Sequence, residues 1–164
     1  MDHRRPTSHA TASPVGRPEA ALDLEHHRAV ARGRISMAAA TVARVGENDL
    51  KKGDVLAIAR FAAVQAAKRT STLMPPTAVV IVEDVVVRFA PGDDYIDIEV
   101  AVDGFARSGV EIEAITGATV AALTIYDMCK SADRTMSIGP VALWERGGPS
   151  GWQREVATPP GATA

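Results

Sequence analysis

The clearest alternation in the chain runs from Tyr95 to Asp103, where Ile96, Ile98, Val100 and Val102 interleave with Asp97, Glu99, Ala101 and Asp103. A period of two with one apolar side is the signature of a strand that buries a single face. The valine-rich run from Val79 to Phe89 precedes it, with Pro91-Gly92-Asp93-Asp94 between them, so the pair predicts an antiparallel hairpin. Helical spacing governs two other stretches. Val55, Ile58, Ala59, Ala62, Ala63 and Ala66 recur along one side up to Lys68, with Asp54 as N-cap and Pro75-Pro76 as a stop. A second helix is predicted from Ser108 to about Lys130. Its polar stripe (Glu113, Thr116, Thr124, Asp127, Lys130) is narrow, which implies burial on several sides, in a core or an oligomer.

Shorter elements complete the pattern: a strand at Gly33–Ser36, a helix from Met37 to about Val45 that Gly46-Glu47-Asn48 breaks, and a last strand from Met136 to Glu145. No internal repeat occurs. The sum is an α+β fold, helices packed on one face of a small antiparallel sheet. Residues 1–21 carry Pro6, Pro14 and Pro18 without a hydrophobic period and are expected to form a disordered tail, as are residues 157–164, leaving one domain at 22–156. Arg4, Arg5 and Arg17 lie in the first segment, but the apolar centre of a secretory signal is missing.

Composition narrows the chemistry. A chain of 164 residues suits one domain with a real core, and 4% aromatic content points to an interior packed with small residues. A net charge of −2 argues against a protein held to nucleic acid or membrane by bulk electrostatics, and no run of 18 uncharged apolar residues suggests a membrane span. The single cysteine, Cys129, excludes an internal disulfide and a zinc–thiolate site. All four histidines fall within the first 27 residues, so a histidine-based triad or metal site in the body is not expected. Carboxylates and lysines remain. Only four of the 18 basic residues are lysines: Lys51, Lys52, Lys68 and Lys130.

Each candidate has two readings. Glu111 and Glu113 could divide acid and base roles, yet Ser108-Gly109-Val110-Glu111 also fits a capping box. Asp127 and Lys130 share a helix face, as a surface ion pair or as the lining of a pocket. Lys52, before Gly53-Asp54, is either a solvated loop lysine or part of an anion site at a helix entrance. Lys68 and Arg69 complement a helix C-terminus.

Together, Lys52-Gly53-Asp54-Val55, Ala66-Ala67-Lys68-Arg69-Thr70, Gly109-Val110-Glu111-Ile112-Glu113-Ala114 and Thr124-Ile125-Tyr126-Asp127-Met128-Cys129-Lys130 resemble the motifs of the MoaC family, in that family's order. These are the cyclic pyranopterin monophosphate synthases of molybdenum cofactor biosynthesis, and the resemblance covers roughly Gly33 to Gly151. It implies a ferredoxin-like subunit assembled as a trimer of dimers, a homohexamer with active sites at subunit interfaces. It also implies a cytoplasmic lyase that needs no cofactor or metal. Its substrate would be a nucleotide derivative, 3′,8-cyclo-7,8-dihydro-GTP, converted to cyclic pyranopterin monophosphate and pyrophosphate. By the same resemblance Lys52, Asp127 and Lys130 are the acid–base group, while Lys68, Glu111, Ile112 and Glu113 bind substrate.

The chain also departs from the family. Pro76-Thr77-Ala78-Val79 stands where the family has Leu-Cys-His-Pro, and Gly147-Gly148-Pro149-Ser150-Gly151 where it has Gly-Gly-Lys-Ser-Gly; the segment around Asp23 to Arg28 looks shortened. Loss of that histidine and lysine predicts a weaker hold on a triphosphate, unless Arg28, Arg32, Arg34 or Arg146 replace them. Two further readings stand beside the synthase: a related cyclase acting on another cyclised nucleotide in a specialised-metabolite pathway, and a catalytically silent oligomer subunit. Glu113 and Asp127 are 14 positions apart on one predicted helix, roughly 21 Å. One pocket serving both requires two subunits, with Glu113 expected to face a neighbour's Asp127 and Lys130.

Overall fold

The computed structural model describes residues 23–74, 79–148 and 151–154. The expected tails, the Pro75-Pro76 stop, Ala78 and Pro149 lie outside these residues. The elements in order are β1 (Glu25–Ser36), α1 (Ala39–Gly46), α2 (Val55–Lys68), α3 (Thr70–Leu73), β2 (Val80–Pro91), β3 (Tyr95–Ala106), α4 (Glu111–Cys129), β4 (Ser137–Ile138), β5 (Ala142–Arg146) and β6 (Trp152–Gln153). The strands form one antiparallel sheet in the order β2-β3-β1-β5-β6, with β4 also paired to β1. Two β-α-β units, β1–α2–β2 and β3–α4–β5, interleave so that the first strand of each lies at the centre. This is the ferredoxin-like arrangement that the family resemblance implies. Helices α2 and α4 lie side by side on one face of the sheet.

The hairpin forms as the alternation predicts. Ile96, Ile98, Val100 and Val102 are fully buried beneath the helices, and Gly92 N–H donates to the Tyr95 carbonyl at 2.9 Å to close the turn. Three strands differ from expectation, β6 among them because no strand is expected after Glu145. β1 begins at Glu25 rather than Gly33. Its helix-facing residues, opposite Gly104, Val102, Val100, Ile98 and Ile96, are His27, Ala29, Ala31, Gly33 and Ile35, small or polar enough to hide a period of two. Its other face carries Arg28, Arg32 and Arg34, which pair across to Asp103, Glu99 and Asp97. The last expected strand is split in two, because Gly139 N–H turns to the Arg34 carbonyl (2.7 Å) and Pro140 has no N–H to give a ladder.

Alanine dominates the layer between helices and sheet: Ala59, Ala63 and Ala67 of α2 and Ala114, Ala118, Ala121 and Ala122 of α4 are buried. Gly117 closes the contact most tightly. A Cβ there would lie 3.1 Å from Val100 Cγ1 and 3.3 Å from the Ala63 carbonyl oxygen. Among the described helices α4 alone is long and apolar enough for a membrane span, and packing against β1, β3 and α2 accounts for that apolarity.

After α4 the chain is tied to α1 by one carboxylate. Asp133 accepts from Ala38 N–H (2.7 Å), Thr41 Oγ1 (3.2 Å), Thr135 N–H (2.8 Å) and Thr135 Oγ1 (2.7 Å). It serves as the cap that Ala38 cannot supply to its own helix. These bonds, that from the Thr135 hydroxyl foremost, hold the Asp133 carboxyl down to about 2. Asp133→Ala should therefore cost about 2–3 kcal/mol at neutral pH. A depressed folded-state value stabilises above the unfolded value near 4. The gap between wild type and variant in urea denaturation should therefore close as pH falls from about 4 to about 2. A gap independent of pH would contradict this account.

Candidate functional site

A tight turn carries Lys52 to its place. Leu50 carbonyl accepts from Gly53 N–H at 2.9 Å, Gly53 takes φ +86°, and Asp54 then caps α2 by accepting from Ala57 N–H at 2.9 Å. This geometry sets Lys52 beside the last turn of α4. Its Nζ donates to the Asp127 carbonyl oxygen (2.9 Å) and to Asp127 Oδ2 (3.2 Å), while Lys130 Nζ donates to Asp127 Oδ1 (2.6 Å). The structure thus brings Lys52, Asp127 and Lys130 together although Lys52 and Asp127 are 75 positions apart in the chain. Lys130, then Lys52, hold the Asp127 carboxyl below the usual aspartate range, and Asp127 in turn raises Lys130. All three side chains are about half exposed. In the single protomer the cluster is a carboxylate flanked by two ammonium groups.

The other expected site residues occupy the opposite end of α4. Gly117 faces Ala63 and Ala67, so the C-terminal end of α2, with exposed Lys68, lies alongside the N-terminal half of α4. Ile112 is 43% exposed there, whereas Glu113 is 3% exposed. Burial, reinforced by the neighbouring Glu111 charge, pushes the Glu113 carboxyl up. From Glu111 to Asp127 is 16 residues of helix, about 24 Å, so one protomer does not unite the two groups.

The capping box is not formed. Val110, not Ser108, is the N-cap of α4, and it supplies no side-chain bond. Glu111 instead pairs with Arg146 Nε at 2.6 Å, and Arg146 Nη2 also reaches the Ser108 carbonyl at 3.1 Å. A partner from β5 has outcompeted the local motif. Arg28, Arg32 and Arg34, considered as replacement cations, are committed to carboxylates on the sheet face away from the helices.

Sequence reasoning missed one pairing and one residue. Arg146 is expected there only as a replacement cation, and its pairing with Glu111, 35 positions away, lies beyond any local motif. The missed residue is His27. It lies in β1, 5% exposed, and neither ring nitrogen finds a hydrogen-bond partner among the described residues. Recognition of β1 from Glu25 would have turned it inward by alternation. Among the described residues no three His, Cys, Asp or Glu side chains gather as a metal site. Cys129 is buried, and burial pushes its thiol up, away from reactivity.

Comparison with known proteins adds the family. Residues 22–148 match the MoaC family. The chain is 48% identical over 127 residues to the cyclic pyranopterin monophosphate synthase of Natranaerobius thermophilus, covering 76% of this chain and 80% of that protein. It is 47% identical over 130 residues to the synthase of Chloroflexus aurantiacus (77% and 80% covered). To that of Thermomicrobium roseum it is 49% identical over 135 residues (79% and 81% covered).

The electrostatics of the lysine–carboxylate cluster are directly measurable. Lys130→Met removes the largest of the influences that depress Asp127, so the Asp127 carboxyl should titrate at higher pH in the variant. Carboxyl-carbon NMR of wild type and variant checks this, and coincident titration curves would refute it.

Proposed function

The chain belongs to the MoaC family, and on that premise we propose that it is a cyclic pyranopterin monophosphate synthase of molybdenum cofactor biosynthesis. The observation that carries this reading is the meeting of Lys52, Asp127 and Lys130 within hydrogen-bond distance, from a loop and a helix end far apart in sequence. The reaction implied by the resemblance opens a purine ring, builds a pterin, closes a cyclic phosphate and expels pyrophosphate. Each step moves protons or concentrates negative charge. Two ammonium groups on one carboxylate supply protons and neutralise charge as it develops, while Asp127 orients both.

Lys130 is raised and half exposed in the single protomer, which suits charge stabilisation better than proton donation. Covering the cluster would add desolvation that opposes the raising of Lys130 by Asp127. The 24 Å separation along α4 calls for a second chain in any case. We therefore place the complete site between subunits of a homohexamer, a trimer of dimers. There the wall at the start of α4, presented outward by Ile112, meets a neighbour's Lys52, Asp127 and Lys130. Exposed Ile58, Phe61 and Leu123 on the two helices support association, since a lone chain would leave them in water. The same reading gives the enzyme a nucleotide-derived substrate, no resident cofactor and a cytoplasmic location.

The purified chain should release pyrophosphate from 3′,8-cyclo-7,8-dihydro-GTP, and no release at high enzyme concentration would sink the proposal. Lys52→Ala, Asp127→Ala and Lys130→Ala should each lower turnover by ~10²–10⁴ with circular dichroism unchanged. Arginine at position 52 or 130 should not restore it, because a guanidinium does not give up its proton near neutral pH. Light scattering should return six times the 17.2 kDa chain mass, and a monomer at micromolar concentration would overturn the shared site.

A further inference from the structure

At the start of α4 one guanidinium joins three parts of the chain. Arg146, the last residue of β5, bonds Glu111 and the Ser108 carbonyl at once, with both charged side chains largely covered (30% and 20% exposed). The Glu111 carboxylate folds back over Gly109, which has φ +119°, and a Cβ at that glycine would overlap the carboxylate. α4 has no side-chain cap of its own, and the carboxylate nearest in sequence is already engaged by β5. The bridge from β5 thus fixes both the carbonyl entering the turn and the first side chain of the helix. A charge-assisted bond that is partly covered holds more firmly than an exposed pair.

We infer that Arg146 is a positioning residue for substrate binding: it acts through Glu111 and Ser108 to fix the turn from Gly109 to Glu113. The inference rests on the synthase reading, which makes that turn a wall of the pocket. With the turn held, Ile112 faces outward while Glu113 remains inside. Arg146 lies at the opposite end of α4 from Lys52, Asp127 and Lys130, so its loss moves the binding wall and leaves the acid–base cluster of the same protomer in place. The effect therefore falls on KM more than on kcat. A lysine at the position keeps the charge opposite Glu111 but lacks the fixed fork that reaches two acceptors.

The test uses the full chain with Arg146→Leu, Arg146→Lys, Glu111→Gln and the Leu–Gln double variant. Steady-state pyrophosphate release and amide hydrogen exchange are measured for each. Arg146→Leu should raise KM about tenfold, with kcat changed less than about threefold. Arg146→Lys, which keeps the charge opposite Glu111 and loses the second acceptor, should recover only part of that loss and leave KM about threefold above wild type. The double variant should be no worse than the poorer single one, since both remove the same bridge. Amides from Val110 to Ala114 should exchange faster in Arg146→Leu, and those from Ile125 to Cys129 should not. An unchanged KM, an additive double variant or unchanged exchange at the helix start would overturn the inference, and if leucine prevents folding the lysine variant decides it by the same measures. A wild-type chain that releases no pyrophosphate would defeat the synthase reading instead, and the exchange measurement alone would then decide whether Arg146 orders the turn.

Discussion

The close approach of α4 to β3 and α2 sets the position of everything else in this protein. Gly117 stands where even a methyl group would press on Val100 and on the backbone of α2, and the alanines around it keep the interface shallow along its length. A helix seated this closely has little freedom to slide or roll. Glu111, Ile112, Glu113 and Asp127 lie on it and Lys130 caps its end, so the separation of the two candidate groups is fixed by the helix and not by loops. Under the proposed function, that separation is the physical reason a second chain is called for to complete the site.

The sheet has its own charge economy on the face turned away from the helices. Arg32 and Arg88 both bond Glu99, so one carboxylate ties β1 and β2 to β3. Burial pushes the Glu99 carboxyl up, but the two arginine bonds outweigh it and leave the group below its ordinary value. Arg34 adds a two-pronged bond to Asp97 and lies over the ring of Tyr95. Four of the 14 arginines, Arg28, Arg32, Arg34 and Arg88, thus hold strands together. The two glutamates at the start of α4 differ in the same spirit, one fixed by a cation and the other enclosed.

Period was legible wherever side chains differed strongly from one face to the next. Tyr95 to Asp103 could be read directly, because branched aliphatics interleave with acidic residues, and Val55 to Lys68 was legible as a helix, although Ile58, expected on its apolar side, is half exposed. β1 was read only at its end, because alanine, glycine and an inward histidine blur the contrast on which the reading depends. The candidate site was legible through its motifs, and Lys52, Asp127 and Lys130 do meet. Of the two readings of Glu111, the capping box fails for a general reason: Ser108 and Glu111 form an adequate local capping motif, and sequence spacing carries no warning that Arg146 arrives from another strand.

Placing β1 at the centre of the sheet also has a consequence during synthesis. β1 is the first of the described elements to be made, yet its partners on β3 lie 59 to 81 positions later and β5 is later still. Contacts of such long range form slowly. In the interval β1 is an unpaired strand with both edges open, the kind of segment that recruits other chains. Arg28, Arg32 and Arg34 repel a second copy of the same strand until Asp103, Glu99 and Asp97 arrive to neutralise them. The arginines that lock the finished sheet therefore also set like charges along the strand that waits longest for its partners.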